Sequence, residues 1–359
     1  MKILILANSD VGLYQFRGEL MKELLKKNTV LFSVPNGEMI DDITKLGATY
    51  IETAVDRRGI NPLKDMKLLF NYRRILRLEK PDMVITYTIK PNVYGGLVCR
   101  LYRIPYAVNI TGLGTTFQKD GMLKKFVTIL YKVGLKKTKI VFFENCENQQ
   151  IFIDLGIVKQ EKTCLLSGAG VDLNKFQVME YPAGGVTKFL FIGRVMKEKG
   201  INELFDAMKK LIASGIDCRL DVVGEYEEDY TAIIEQYEAE GWLYYHGYQK
   251  DVHPFIAKCH CFVLPSWHEG MANTSLESAA SGRPVITSNI HGCLEAVIDG
   301  KTGYLAERKN AEELYKKMKK FTELSYEERM IMGLAGRKHM EDVFDKRKVV
   351  EETIRCLFS

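Results

Sequence analysis

Leu264-Pro265-Ser266-Trp267-His268-Glu269-Gly270-Met271-Ala272-Asn273-Thr274-Ser275-Leu276-Glu277-Ser278-Ala279-Ala280-Ser281-Gly282-Arg283-Pro284-Val285-Ile286 is the stretch whose reading decides the fold. A strand ends, a loop opens with Glu269-Gly270, a helix of small residues carries Glu277, and a Gly-x-Pro turn feeds the next strand. This is one strand–helix–strand step of a parallel sheet. It sets two carboxylates around a helix N-terminus, where unpaired N–H groups favour phosphate and carboxylates can accept protons from sugar hydroxyls. Thr274-Ser275-Leu276-Glu277 also matches a Ser/Thr-x-x-Glu capping box, which would make Glu277 structural. Both readings stand open at this level.

The same alternation extends in both directions. Ile3–Ala7, Val30–Val34, Met83–Thr86, Ala107–Ile110 and Ile140–Phe143 read as strands between amphipathic segments. A second series follows at Phe189–Ile192, Leu220–Val223, Trp242–Tyr245, Phe262–Leu264 and Pro284–Thr287. Apolar runs of this kind belong to parallel sheets covered on both faces, so two doubly wound α/β domains are expected. The 359 residues suit two cores of about 150 to 180 residues each. We place the domains at 1–167 and 168–340, with a C-terminal helix over about 341–359 packing back on the first.

The net charge of +5 hides an asymmetry: the chain before residue 168 carries 26 Lys/Arg against 16 Asp/Glu, and the remainder 25 against 30. A basic N-terminal half is expected to meet something anionic. The eight cysteines lie mostly in apolar runs, which fits a reducing compartment better than a disulfide framework. No apolar run reaches the roughly 18 residues of a membrane span.

Three further features bear on chemistry. After the first strand, Asn8-Ser9-Asp10-Val11-Gly12 places a glycine where backbone N–H groups can approach phosphate, but Gly-x-Gly-x-x-Gly is absent, which argues against a dinucleotide oxidoreductase. Gly193-Arg194 and Lys199-Gly200 follow the strand at Phe189–Ile192, so two cations can reach the crevice at the strand ends and grip a diphosphate, although composition alone allows a solvated loop equally well. Cys259-His260-Cys261 lacks paired Cys-x-x-Cys spacing and is not read as a zinc site.

Arg194 and Lys199, then Glu269 and Glu277 with seven residues between, then Gly282-Arg283-Pro284-Val285-Ile286, closely resemble the retaining nucleotide-sugar glycosyltransferases of family 4. The resemblance covers nearly the whole chain. Tyr14-Gln15-Phe16-Arg17, Arg57-Arg58-Gly59, Lys90-Pro91-Asn92, Thr111-Gly112 and Gly168-Ala169-Gly170-Val171-Asp172 are similar to the subgroup that extends undecaprenyl-diphosphate-linked sugars in capsule, O-antigen or protein-glycan assembly. The resemblance implies the GT-B fold, two Rossmann-like domains facing each other across a cleft. It further implies that Arg194, Lys199 and the Gly12 backbone hold the donor diphosphate, and that Glu277 accepts the ribose hydroxyls. Glu269 would touch the transferred sugar, and Gly170, Val252, Asn273, Thr274 and Ser275 would line the donor site. Arg17, Arg57, Lys90 and Thr111 are the acceptor-side candidates. Many relatives carry a histidine where this chain has Asn109-Ile110-Thr111-Gly112, so no general base is assigned.

The expected activity is transfer of a hexose or N-acetylhexosamine from a UDP-sugar to a polyprenyl-diphosphate-linked sugar. A UDP-sugar epimerase and a non-catalytic sugar-nucleotide-binding protein are the rivals. None of the 17 aspartates forms Asp-x-Asp, so no metal and no other cofactor is expected. Lys119–Lys139 holds seven lysines and one acid among Phe126, Ile129, Leu130, Tyr131 and Leu135. An amphipathic helix on anionic lipid is the reading preferred over nucleic acid, with an ordinary core-facing helix bearing a solvated lysine face as the alternative; the lipid reading places the protein in the cytoplasm, peripheral on the inner face of the cell membrane.

Overall fold

The structure, a computed structural model, describes residues 1–56, 61–114, 117 and 121–359. The chain divides into two compact units, Met1–Ala169 with Arg347–Ser359, and Gly170–Lys346.

The first unit is built on a seven-stranded parallel sheet: β1 (Lys2–Leu6), β2 (Thr29–Val34), β3 (Thr49–Glu52), β4 (Met83–Tyr87), β5 (Tyr106–Ile110), β6 (Ile140–Phe143) and β7 (Thr163–Leu165). Its order is β3-β2-β1-β4-β5-β6-β7. Helices α1 (Asp10–Leu25), α2 (Ile40–Lys45), α3 (Pro62–Glu79), α4 (Gly96–Tyr102), α5 (Met122–Leu135) and α6 (Cys146–Asp154) connect the strands. The period-two geometry of a strand sorts β1 between two cores. Leu4 and Leu6 join Val84, Val108 and Val141, while Ile3 and Ile5 join Val30, Phe32 and Ile85. Local chemistry sets the helix starts: Ser9 Oγ accepts from Gly12 N at 3.2 Å at the head of α1. Asn61 caps α3 with Pro62 in its first turn.

The second unit repeats the plan with six parallel strands: β8 (Thr187–Ile192), β9 (Cys218–Val223), β10 (Leu243–Tyr245), β11 (Cys261–Leu264), β12 (Val285–Ser288) and β13 (Gly303–Ala306), ordered β10-β9-β8-β11-β12-β13. Its helices are α7 (Ile201–Ala213), α8 (Thr231–Ala239), α9 (His253–Lys258), α10 (Asn273–Ala280), α11 (Ala311–Thr322) and α12 (Tyr326–Val343). The last helix, α13 (Lys346–Phe358), places Val349, Val350, Cys356 and Leu357 in a core of the first unit. The doubly wound reading therefore holds in both halves. Three strands escaped the sequence pattern, β3, β7 and β13, and each lies at a sheet edge.

Arg283, in the turn between α10 and β12, is fully buried. Its guanidinium donates to the carbonyls of Ile256 at 2.8 Å, Glu180 at 2.7 Å, Ala257 at 3.1 Å and Met179 at 3.2 Å. Ile256 and Ala257 belong to the last turn of α9, where carbonyls lack donors within the helix. Replacing Arg283 by Met is expected to cost about 3–5 kcal/mol in urea denaturation, because several buried carbonyls lose a charged donor together.

Candidate active site

In an open parallel sheet, ligands bind at the carboxyl ends of strands where the winding reverses. In the second unit that point lies between β8 and β11. After β8 the chain passes Gly193-Arg194 and forms a tight turn over Lys197–Lys199. Gly200 follows at φ +72°, and a Cβ there would come within 2.0 Å of Pro265 O, so the turn seats directly on the loop after β11. Trp267 N donates to Glu198 O at 2.9 Å and closes the junction.

This seating brings the Lys199 ammonium onto the Glu269 carboxylate, with side chains only 19% and 13% exposed. The same Glu269 oxygen accepts from Ser266 Oγ at 2.8 Å. From the other side Gly292, at φ +91°, lies so close that a Cβ would stand 2.6 Å from Glu269 O. Its carbonyl accepts from Ala272 N at 2.6 Å. Glu269 is thus held by three segments. Arg194 is more exposed, 3.1 Å from Glu227.

Helix α10 begins at Asn273, with Ala272 at its N-cap and no side chain capping it. The capping box allowed by the sequence is not formed: Thr274 Oγ1 instead donates to Ile192 O at 3.2 Å, tying the helix head to the end of β8. Asn273 Oδ1 and Ser275 Oγ are buried and have no hydrogen-bond partner among the described residues. Buried polar atoms without partners are uncommon, and here two occupy one helix turn beside Glu269 in sequence.

Glu277 is set in the same helix, largely enclosed, and among the described residues no side chain donates a hydrogen bond to it. Burial pushes its carboxyl up to about 7, with Lys175, Lys346 and His253 pulling in the opposite direction. These three cationic or basic groups come from segments far apart in sequence. His253 stacks on Phe176 at 4.6 Å, and its Nδ1 lies 2.6 Å from Asp251 Oδ1. Val252 stands immediately before it, at the N-cap of α9. Gly170 lies against the main chain of Lys346, and the adjacent Val171 N donates to Phe344 O at 2.8 Å.

The first unit has its own reversal point, between β1 and β4. Gly12 sits in the first turn of α1, its N–H donated to Ser9. Arg17 is buried beneath the Tyr87 ring and pairs with Glu144 at 2.5 Å. Burial raises the Glu144 carboxyl, while Arg17 lowers it. After β4, Thr88 holds φ +71°, a costly conformation for a β-branched residue and one that gathers at functional sites. Beyond it Lys90 pairs with Asp65 at 2.7 Å. Thr111 is half-buried after β5, and Arg57 lies outside the described residues. Sequence reasoning missed Asp65, Glu144, Lys175 and Lys346, since no local motif marks a charge that acts across such separations. His260 accepts from Lys188 N at 3.0 Å, and its pKa is driven down to about 4 by burial.

With this geometry in hand, comparison with known proteins is informative. Residues 180–339 match the family described as glycosyl transferases group 1, and residues 2–145 match glycosyl transferase 4-like proteins. The chain is 26% identical to the N,N'-diacetylbacillosaminyl-diphospho-undecaprenol alpha-1,3-N-acetylgalactosaminyltransferase of Campylobacter jejuni subsp. jejuni, over 93% of this chain and 92% of the relative. It is 28% identical to the UDP-Gal:alpha-D-GlcNAc-diphosphoundecaprenol alpha-1,3-galactosyltransferase of Escherichia coli, over 77% and 74%. HepE of Anabaena, crystallised with UDP and glucose, superposes with a TM-score of 0.82 at 17% identity, covering 99% of each chain. The chain belongs to the group 1, family 4-like glycosyltransferases and has the GT-B fold.

Because the pKa of Glu277 is raised in the folded state, the charged carboxylate costs stability, increasingly from about pH 4.5 to about pH 7 and fully above that. Glu277→Gln is therefore expected to raise the melting temperature of the free protein by a few degrees near pH 8 and to leave it unchanged near pH 4. The same substitution is expected to weaken UDP binding by about ten- to a hundredfold. Calorimetry with and without UDP measures both effects, and a drop in melting temperature with unaltered binding would contradict a ligand-facing role.

Proposed function

We propose that this glycosyltransferase moves a hexose or N-acetylhexosamine from a UDP-sugar to a polyprenyl-diphosphate-linked sugar, with retention at the anomeric carbon. The observation that carries the reading is the Lys199–Glu269 pair at the second unit's reversal point, followed by the buried Asn273 Oδ1 and Ser275 Oγ, which have no hydrogen-bond partner among the described residues. Lys199 and Arg194 meet the charge that grows on the diphosphate as the anomeric bond breaks. Glu269, held by Lys199 and Ser266, faces the departing sugar, and Glu277 accepts from the ribose hydroxyls. Asn273, Thr274 and Ser275 lie near sugar and phosphate, with Gly170 and Val252 on the same donor side and Gly12 the first unit's candidate for the diphosphate. The acceptor side falls to the first unit, with Arg17, Lys90, Thr111 and Arg57. The names of the Campylobacter and Escherichia relatives, both acting on undecaprenyl-diphosphate-linked sugars, support the acceptor class.

Cations fill the role that Asp-x-Asp and a divalent metal serve in another glycosyltransferase class, so transfer proceeds without metal. Incubation with labelled UDP-sugars and a lipid-linked acceptor is the decisive assay; epimerised sugar, or binding without turnover, would overturn the proposal. Arg194→Ala and Lys199→Ala are each expected to lower turnover about a hundred- to a thousandfold with the fold intact. Activity is expected to survive EDTA, and loss restored by Mn²⁺ would contradict a cation-based site.

No helix among the described residues is long and apolar enough to cross a membrane. The first unit nevertheless leaves Met122, Leu123, Phe126, Ile129 and Val133 of α5 exposed, interleaved with Lys124, Lys125, Lys132 and Lys136. On α3, Leu63, Met66 and Phe70 are exposed as well, and α4 packs against both helices. Apolar side chains among lysines suit the boundary of an anionic bilayer, each lysine adding about 1 kcal/mol near the surface. Exchanging these four lysines for Glu is expected to abolish sedimentation with anionic vesicles and to slow transfer to a long-chain lipid acceptor. Transfer to a short water-soluble acceptor is expected to persist, and equal losses on both would argue for a merely solvated face.

A further inference from the structure

Cys164 lies on the edge strand β7, and Cys356 in the last turn of α13, 192 positions apart in sequence. Their sulfurs are 3.1 Å apart, and both residues are buried. Glu352, one turn before Cys356, accepts from Cys356 Sγ at 3.4 Å and from Cys164 Sγ at 3.9 Å. It is also paired with Arg355, whose guanidinium lies 3.9 Å from Cys356 Sγ. Burial, the facing thiol and Glu352 all raise the Cys164 thiol above its usual range.

The geometry points to a reversible disulfide between Cys164 and Cys356 that clasps the C-terminal helix to the edge of the first unit's sheet. Two observations favour this over a metal site built from the same three residues. Two thiolates on one tetrahedral zinc, each about 2.3 Å from the ion, stand about 3.7 Å apart, and this pair is closer. The sulfurs also sit in an apolar core with Leu166, Val349 and Leu357, which accepts a neutral disulfide more readily than a divalent ion. The clasp would be a response to oxidation, compatible with the reduced state expected from the cysteine-rich apolar runs.

A small-molecule disulfide such as glutathione disulfide is the oxidant. The end of α13 opens locally, as helix ends do, and Cys356 loses its proton to solvent. The thiolate attacks one sulfur of glutathione disulfide, forming a mixed disulfide and releasing one glutathione thiolate. The released glutathione thiolate takes the Cys164 proton, and the Cys164 thiolate attacks the Cys356 sulfur and expels the second glutathione as its thiolate, which takes a proton from solvent. The two protein thiols lose two electrons and two protons, and one glutathione disulfide becomes two glutathiones.

The test uses the full chain with exposed Cys146 changed to Ser, treated with glutathione disulfide, alkylated, digested and mapped by mass spectrometry. The expected result is a loss of two free thiols, linked peptides carrying Cys164 and Cys356, and full reversal by dithiothreitol. Oxidation is expected to raise the melting temperature of this protein but not that of variants additionally carrying Cys164→Ser or Cys356→Ser. The proposal is overturned by glutathione remaining on Cys356, by linkage to another cysteine, by unreacted thiols, or by zinc co-purifying at one equivalent and blocking oxidation.

Discussion

The second unit depends on one charge that has no counter-ion among the described residues. Arg283 is buried against main-chain carbonyls and the Tyr181 ring, and burial lowers its pKa from the usual guanidinium value. A carboxylate partner would bring its own desolvation cost, whereas carbonyls at a helix end already need donors. The fork therefore joins three segments: the residues 179–180 that lead into the unit, the end of α9, and the turn into β12. Because α9 is fixed at its far end, Val252 and His253 are fixed at its start. The Gly282-Arg283-Pro284 motif reads, physically, as a splice between the sheet and the helix that borders the candidate site.

The site itself sets two carboxylates in opposite electrostatic conditions. Glu269 is matched by an ammonium and a hydroxyl that hold its oxygen in place. Glu277 has cationic neighbours but no hydrogen-bond donor among the described side chains, so burial dominates and the acid stays partly protonated near neutral pH. An oriented, ion-paired group suits contact with a reacting sugar. A carboxyl left short of donors is suited to hydroxyls that arrive with a ligand, since each hydroxyl supplies what the protein omits.

The doubly wound plan was legible because central strands are buried on both faces and so read as continuous apolar runs. The strands that escaped, Thr49–Glu52, Thr163–Leu165 and Gly303–Ala306, are short and lie at edges, where fewer residues need be apolar. At the candidate site, the sequence singles out Arg194, Lys199, Glu269 and Glu277 because they follow a strand end or lie in the helix that comes after it. Their surroundings were not. Thr274-x-x-Glu277 has the form of a cap, yet the helix starts two residues earlier, and sequence cannot fix a boundary that finely. Lys175 and Lys346 reach Glu277 only because residues 170–171 run beside 344–346, a pairing no periodicity reveals.

That pairing gives the chain an unusual order of assembly. Val171 and Asp345 form a backbone bridge, so the second unit leaves and rejoins the chain at nearly one point, as an inserted domain does. On a ribosome, residues 170–346 are all made before 347–359 exist. The inserted unit can close while its host still lacks a helix, leaving the hydrophobic face under Met21, Leu24 and Leu166 uncovered until synthesis passes Leu357. For that interval the N-terminal half, although translated before the inserted unit, keeps part of its core open to solvent.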